Sequence, residues 1–162
     1  MSPRILPAIK GAITGLLMIG IVLAVYYSGQ PSDSNIQYLI YAVYGVGIIW
    51  TLLAYRRSAS FTGKFTDIFS QGFRCFIVVT LMMVLFTFVF NKMHPEFAEQ
   101  SAASYKEHLL KQKDKLVPDI DKEVANAKKN YNTVLVYGAI FGYLIIGAGV
   151  TAVVSAILTR RT

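Results

Sequence analysis

Residues 134–158 read VLVYGAIFGYLIIGAGVTAVVSAIL, 25 residues without a single charge. Wound as an α-helix at 1.5 Å per residue, such a run is about 38 Å long, more than the roughly 30 Å hydrocarbon core of a bilayer. Its apolar residues lie on every side, whereas a helix half in water keeps them to one stripe. Three more stretches of the same kind lie upstream. Gly11 to Tyr27 is 17 residues without a charge, extendable toward Ile5 if Lys10 snorkels. Ile36 to Tyr55 is 20 residues, and Gly72 to Phe90 is 19 with only Arg74 charged. Each falls in the length range of a transmembrane helix, about 17–25 residues.

The composition agrees. Of 162 residues, 54% are hydrophobic and 15% charged, and the mean hydropathy is +0.48. An average soluble domain is about 25% charged, and a short chain buries only part of its surface. An ordinary soluble enzyme, a disordered chain and a collagen-like fibre are therefore excluded. One cysteine, Cys75, allows no intramolecular disulfide and no cysteine-based zinc cluster. The first stretch follows Arg4 and Lys10 as a signal peptide would. Tyr26 and Tyr27, however, stand where small residues are needed for cleavage, so it reads as an uncleaved span.

Charge orients the spans. Arg4, Lys10, Arg56, Arg57, Lys64, Arg74, Arg160 and Arg161 fall on one side of the membrane, with Asp67 as the only acid there. The short loop Ser28 to Asn35 on the other side carries no Lys or Arg and one Asp33. By the positive-inside rule both termini are expected in the cytoplasm. The long loop from Asn91 to Thr133 is then outside, with eight Lys balanced by seven Asp and Glu. The net charge of +7 thus orients the chain and meets anionic lipid; no basic face suited to nucleic acid is formed.

Two segments are helical without being spans. In residues 61–71, Phe61, Phe65, Ile68 and Phe69 share one face at 100° steps, opposite Lys64, Asp67 and Ser70. This pattern fits a helix lying in the cytoplasmic headgroup layer, and equally the water end of the third span. The outer loop reads as a helical hairpin. Pro95 opens the first arm and Glu96 and Glu99 suit its N-terminus. Phe97, Ala102, Tyr105, Leu109 and Leu110 recur at helical spacing. Pro118 opens the second arm, where Ile120, Val124, Ala127, Tyr131 and Val134 run into the fourth span. The alternative for this loop is a charged linker of fluctuating helix, since short isolated helices are marginal in water.

Few residues suit catalysis. His94 and His108 lie 14 positions apart, not at the i, i+4 spacing of a helical metal pair. No Asp, Glu, Lys, Arg or His stands in the middle of a span, where ion-coupled transport places ionisable groups. The polar residues at that depth are Tyr41, Tyr44, Thr80, Thr87 and Tyr143. Two G-x-x-x-G pairs, Gly11 with Gly15 and Gly138 with Gly142, are candidates for close helix packing within the bundle or across a dimer. Neither a cofactor nor a metal is expected.

Tyr55, Arg56 and Arg57 close the second span, and Phe61, Phe65 and Phe69 lead to Gly72, Phe73 and Arg74. His94, Pro95, Glu96 and Phe97 follow the third span, and Thr159, Arg160 and Arg161 end the fourth. In this order the pieces resemble the small bacterial membrane proteins grouped as domain of unknown function 4199, widespread in Bacteroidota, over nearly the whole chain. The resemblance implies four spans with a long polar loop between the third and fourth, and the inner membrane of a Gram-negative bacterium. It implies no activity and carries no catalytic residue.

The expectation is therefore an all-α, four-span, multi-pass inner-membrane protein with an extracytoplasmic hairpin, and without enzymatic activity. It would serve as a scaffold or accessory subunit touching lipids and another membrane protein or a second copy. Phe97, Tyr105, Leu109, Ile120 and Val124 on the hairpin are the candidate partner contacts. Two other roles remain open: an auxiliary component of envelope lipid or glycan synthesis, and, more remotely, a small transporter.

Overall fold

The computed structural model describes residues 6–29, 34–111 and 117–160, without the side chains of 34, 35 and 160. Arg4, Asp33 and Arg161, together with the Arg160 side chain, lie outside that description. The described residues form five helices and no strand: α1 (Pro7–Tyr27), α2 (Ser34–Arg56), α3 (Phe65–Met93), α4 (Glu96–Lys111) and α5 (Val117–Arg160). Four of them, α1, α2, α3 and α5, are long and apolar enough to cross a membrane. The chain is an all-α, multi-pass membrane protein. At most 28% of each apolar window is buried inside the protein, so most of each span's hydrophobic surface needs lipid around it.

The helices overrun the apolar stretches at their ends. α1 starts with Pro7 in the first turn, where a missing N–H costs no hydrogen bond, and takes in Lys10. It stops at Ser28, whose N–H donates to the Ala24 carbonyl at 3.0 Å, and Gly29 follows in the left-handed region at φ 67°. α5 is 44 residues long, about 66 Å at 1.5 Å per residue, so one helix contains both the polar arm and the fourth apolar stretch.

The chain divides into two compact units. The first comprises residues up to Met83 and from Ile140 onward. Its buried residues recur at steps of three and four on every helix. They are Lys10, Gly11, Thr14, Gly15 and Met18 on α1, and Tyr44, Gly47, Ile48, Thr51 and Leu52 on α2. On α3 they include Ile68, Gly72, Cys75, Phe76, Val79, Thr80 and Met83; on α5, Gly147, Thr151, Ser155 and Leu158. Leu16, Leu53, Leu81, Ile145 and Val153 face outward on the same helices.

Glycine sets how closely these helices approach. A Cβ on Gly11 would meet the Cys75 carbonyl oxygen at 2.5 Å, and one on Gly15 would meet Met82 Sδ at 3.0 Å. The Thr14 side chain fills the place of a Gly47 Cβ, and Thr151 that of Gly72. On α5 the intimate glycine is Gly147, whose missing Cβ leaves room for the Tyr44 hydroxyl and the Phe76 ring. Through that notch Tyr44 donates to the Tyr143 carbonyl at 3.0 Å, which helix geometry already pairs with the N–H of residue 147. Gly142 makes only ordinary contact with the Tyr41 hydroxyl at 3.8 Å, and a Cβ on Gly138 would meet nothing within 4 Å. Of the two G-x-x-x-G pairs, the one on α1 makes the tight approaches within the chain.

The second unit spans Val84–Ala139. It holds the end of α3, all of α4 and the first part of α5. Ala102 and Leu109 of α4 and Ile120 of α5 are its buried apolar residues. Phe90 of α3 stacks on Phe97 of α4 at 5.9 Å and on Phe86 at 5.1 Å.

Gly147→Ala should lower thermal stability in detergent by about 1–3 kcal/mol, the usual cost of overpacking, while Gly138→Ala should leave it unchanged. Tyr44→Phe alone should cost about 0.6–1.7 kcal/mol, the measured range for hydrogen bonds between membrane helices. Made on top of Gly147→Ala it should cost much less, because the added methyl has already displaced the hydroxyl. Additive melting shifts in this double-mutant cycle would refute the notch.

Candidate functional site

Two places carry the polar groups of this protein, one in each unit. In the first unit they gather where α1 begins. The 8% exposed Lys10 lays its ammonium over the Trp50 ring of α2, 5.5 Å from the centroid. One turn on, Thr14 donates back to the Lys10 carbonyl at 2.9 Å. Thr51 of α2 lies within hydrogen-bond reach of the Gly47 carbonyl at 2.9 Å and of the Cys75 sulfur of α3 at 3.3 Å. Thr151 and Ser155 of α5 are fully buried, and neither hydroxyl has a hydrogen-bond partner.

Among the described residues no carboxylate pairs with Lys10. The nearest acid in sequence on the packed helices, Asp67, accepts instead from the Thr62 hydroxyl at 2.6 Å. A cation–π contact contributes roughly 0.5–2 kcal/mol, depending on how dry it is. Removing an ammonium from water costs several kcal/mol, so the indole offsets only part of it. Snorkelling, the condition under which the first span would extend toward Ile5, would have avoided that cost; the side chain lies over Trp50 instead. Chain pattern could hint at this pair only through a basic residue at the start of one apolar stretch and a tryptophan late in the next.

The other basic residues of this unit behave as surface charges. Arg56, Arg57, Lys64 and Arg74 are exposed. Lys64 sits in the turn between α2 and α3, which Gly63 bends at φ 72°. There the Tyr55 hydroxyl donates to the Ser60 carbonyl at 3.1 Å and its ring meets Phe61 edge-on. Residues 61–64 are not helical, and residues 65–71 form the first turns of the continuous helix α3. Phe65 stacks on Phe69 at 5.8 Å, while Ile68 is wholly buried. The amphipathic face thus has Ile68 inside the bundle and Phe65 exposed at its edge, without a separate helix.

In the second unit, charge pairs set the register of the hairpin. Lys106 of α4 reaches Asp121 of α5 at 2.6 Å, and Lys128 of α5 reaches Glu99 of α4 at 3.0 Å. Seven residues backward along α4 correspond to seven forward along α5, so the arms run antiparallel without slippage. The signs are crossed, with Lys on α4 in one pair and on α5 in the other. Glu107 pairs with Lys111 at 2.8 Å, as their i, i+4 spacing predicts. At the start of α4, His94 Nδ1 lies 2.7 Å from Glu96 Oε1. The backbone N–H of Glu96 itself, and then His94, hold the Glu96 carboxyl below the usual glutamate range.

Of the hairpin residues expected to meet a partner, Leu109 and Ile120 are buried and form the hairpin's own core. Their helical spacing marked an apolar stripe, and the stripe is used for internal packing. Phe97 and Val124 are half-buried, and Tyr105 is 39% exposed. Leu110 and Val117, at 51% and 59%, add apolar surface outside the expected set of partner contacts. Among the described residues no three His, Cys, Asp or Glu come together as a metal site would require.

The cross-pairs are half-exposed, so each should contribute only about 0.2–1 kcal/mol. Lys106→Glu should speed amide exchange along α4, and adding Asp121→Lys should restore protection. High salt should narrow the difference between these variants.

Glu96 titrates below its unfolded value, so its contribution is complete above the ordinary glutamate pKa, about 4.3, and disappears as pH falls through the lowered folded value. Protection of the first turn of α4 should therefore fall on acidification in the native chain, and Glu96→Gln should flatten that dependence.

The family described as protein of unknown function (DUF4199) matches this chain over residues 10–160. No curated protein and no solved structure matches it.

Proposed function

The chain belongs to the DUF4199 family, whose function is unknown, and from that premise we propose that it is a scaffold or accessory subunit of the bacterial inner membrane, without catalytic activity of its own. In this reading both termini are cytoplasmic and the hairpin is extracytoplasmic, because the basic residues gather at one set of helix ends. The carrying observation is the pair of crossed salt bridges, Lys106–Asp121 and Glu99–Lys128, which fix the register of α4 against α5. A mobile linker needs no such register. A hairpin presenting a surface to a partner benefits from one, because preorganised arms lose less freedom on binding.

The surface offered is mixed. Tyr105 and Leu110 stand exposed on α4 among Lys and Glu side chains. They stand five positions apart, on different sides of the helix, and each is an exposed apolar group ringed by charge of the kind that anchors a small protein contact. The partner in this reading is another membrane protein, or a second copy, with an extracytoplasmic part.

Extraction of the tagged chain from its native membrane in mild detergent should recover one protein in constant ratio. Tyr105→Asp with Leu110→Asp should reduce that recovery about tenfold or more, the scale of losing one contact hot spot, without altering the melting curve. Recovery of the chain alone, or equal recovery from the double variant, would overturn the scaffold reading. Cysteines placed at 28 or 105 should react with an impermeant reagent from the outside only; labelling from the cytoplasmic face would reverse the topology.

A further inference from the structure

Lys10 lies where two faces of α1 meet. On one side is the buried stripe with Gly11, Thr14 and Met18. On the other, beginning one turn further along, is an open apolar groove of about 450 Å³ lined by Ile13, Leu16, Leu17, Gly20, Ile21 and Ala24. Steps of three and four from residue 10 reach 13, 17, 21 and 24, so the groove continues the Lys10 edge for about 17 Å along the helix. A single molecule with an anionic head and a hydrocarbon tail would fit both features. From this juxtaposition we propose that Lys10 and Trp50 hold the phosphate of an anionic phospholipid, with one acyl chain lying in the α1 groove.

Three observations point to this occupant. Lys10 is more than nine-tenths buried and has no carboxylate partner among the described residues. The described side chains of its unit include five cations, Lys10, Arg56, Arg57, Lys64 and Arg74, against one acid, Asp67. A phosphate therefore finds complementary charge, and anionic lipid collects where basic residues meet the leaflet. Trp50 is 42% exposed, and its indole N–H makes no hydrogen bond among the described residues, so it can donate to a phosphate oxygen. The groove is almost wholly apolar, which suits a chain of methylenes and not a soluble anion. The inference stands apart from the scaffold reading, since none of these residues lies on the hairpin.

Native mass spectrometry of the full chain in mild detergent tests it, with phosphatidylglycerol, phosphatidylcholine and inorganic phosphate as probes. The native chain should retain phosphatidylglycerol over phosphatidylcholine by about fivefold, the scale of one lysine at an anionic surface. Lys10→Gln should abolish that preference, and Lys10→Arg should keep most of it. Arg57→Gln, an exposed cation of the same unit, should keep it too. Leu17→Trp, which fills the groove, should weaken retention of both lipids. A second readout guards against misfolding. In phosphatidylcholine nanodiscs Lys10→Met should melt at or above the native chain, having lost a buried unpaired charge, and in phosphatidylglycerol nanodiscs below it. An unchanged preference in Lys10→Gln, displacement of phosphatidylglycerol by millimolar inorganic phosphate, or the same melting order in both lipids would overturn the proposal.

Discussion

Inside a bilayer an apolar helix gains nothing by exchanging lipid for another apolar helix, so helices associate only where packing against each other is closer than lipid can achieve. In the first unit that closeness comes from glycines facing side chains that fill the missing Cβ: Gly47 with Thr14, Gly72 with Thr151, and Gly147 with Tyr44 and Phe76. At Gly11 the backbone itself approaches, with the Cys75 carbonyl against α1. Together these contacts join four pairs of helices: α1 with α2, α1 with α3, α2 with α5, and α3 with α5. Four helices tied pairwise in this way hold together although nearly three quarters of each apolar window stays outside.

The same closeness leaves little room for polar groups, and the hydroxyls show how they are accommodated. Thr14, Thr80 and Thr159 donate to their own helix at the carbonyl four residues back, at 2.8–2.9 Å, and Thr51 lies 2.9 Å from the equivalent carbonyl at Gly47. Such bonds satisfy the oxygen without help from a neighbour and leave the methyl to pack. Thr151 and Ser155 do not follow this rule, their buried hydroxyls having no partner, and Tyr44 reaches across to a carbonyl of α5, which it can do only because residue 147 is glycine. The interhelical hydrogen bond and the interhelical contact are thus one feature.

Much of this was legible in the sequence, for a physical reason. Four apolar runs of bilayer length, with Arg74 the one charge among them, admit few structures, because every backbone group must be paired within the helix. The hairpin was legible from Pro95 and Pro118 with apolar residues at steps of three and four between and after them, and both of its helices are present. Which glycines pack was not legible. The spacing of Gly138 and Gly142 says that two small residues share a face, but nothing about what stands opposite. Gly147, with no glycine four positions away, packs more tightly because Tyr44 faces it. Leu109 and Ile120 show the same limit: periodicity marks an apolar face without saying whether the chain or a partner covers it. The placement of Lys10 was not legible because it turns on Trp50, forty residues away and on another helix.

Charge is handled oppositely in the two units. The described side chains of the hairpin unit hold six Lys against six Asp and Glu, and Lys106, Lys111 and Lys128 are paired across and along its arms. In the bundle unit the one described acid, Asp67, is occupied by the Thr62 hydroxyl, and the cations have no anion of their own. For Arg56, Arg57, Lys64 and Arg74, exposed at the surface, this costs little, because water and lipid headgroups solvate them. For Lys10 it does cost, because the side chain is buried against the bundle. A neutral residue there would have packed on Trp50 without that cost. The bundle therefore carries, at the start of α1, a cation that no carboxylate of its described residues pairs with, while the described charges of the hairpin unit are equal in number. Of the two units it is the bundle, not the hairpin, whose charge balance calls for something outside the chain.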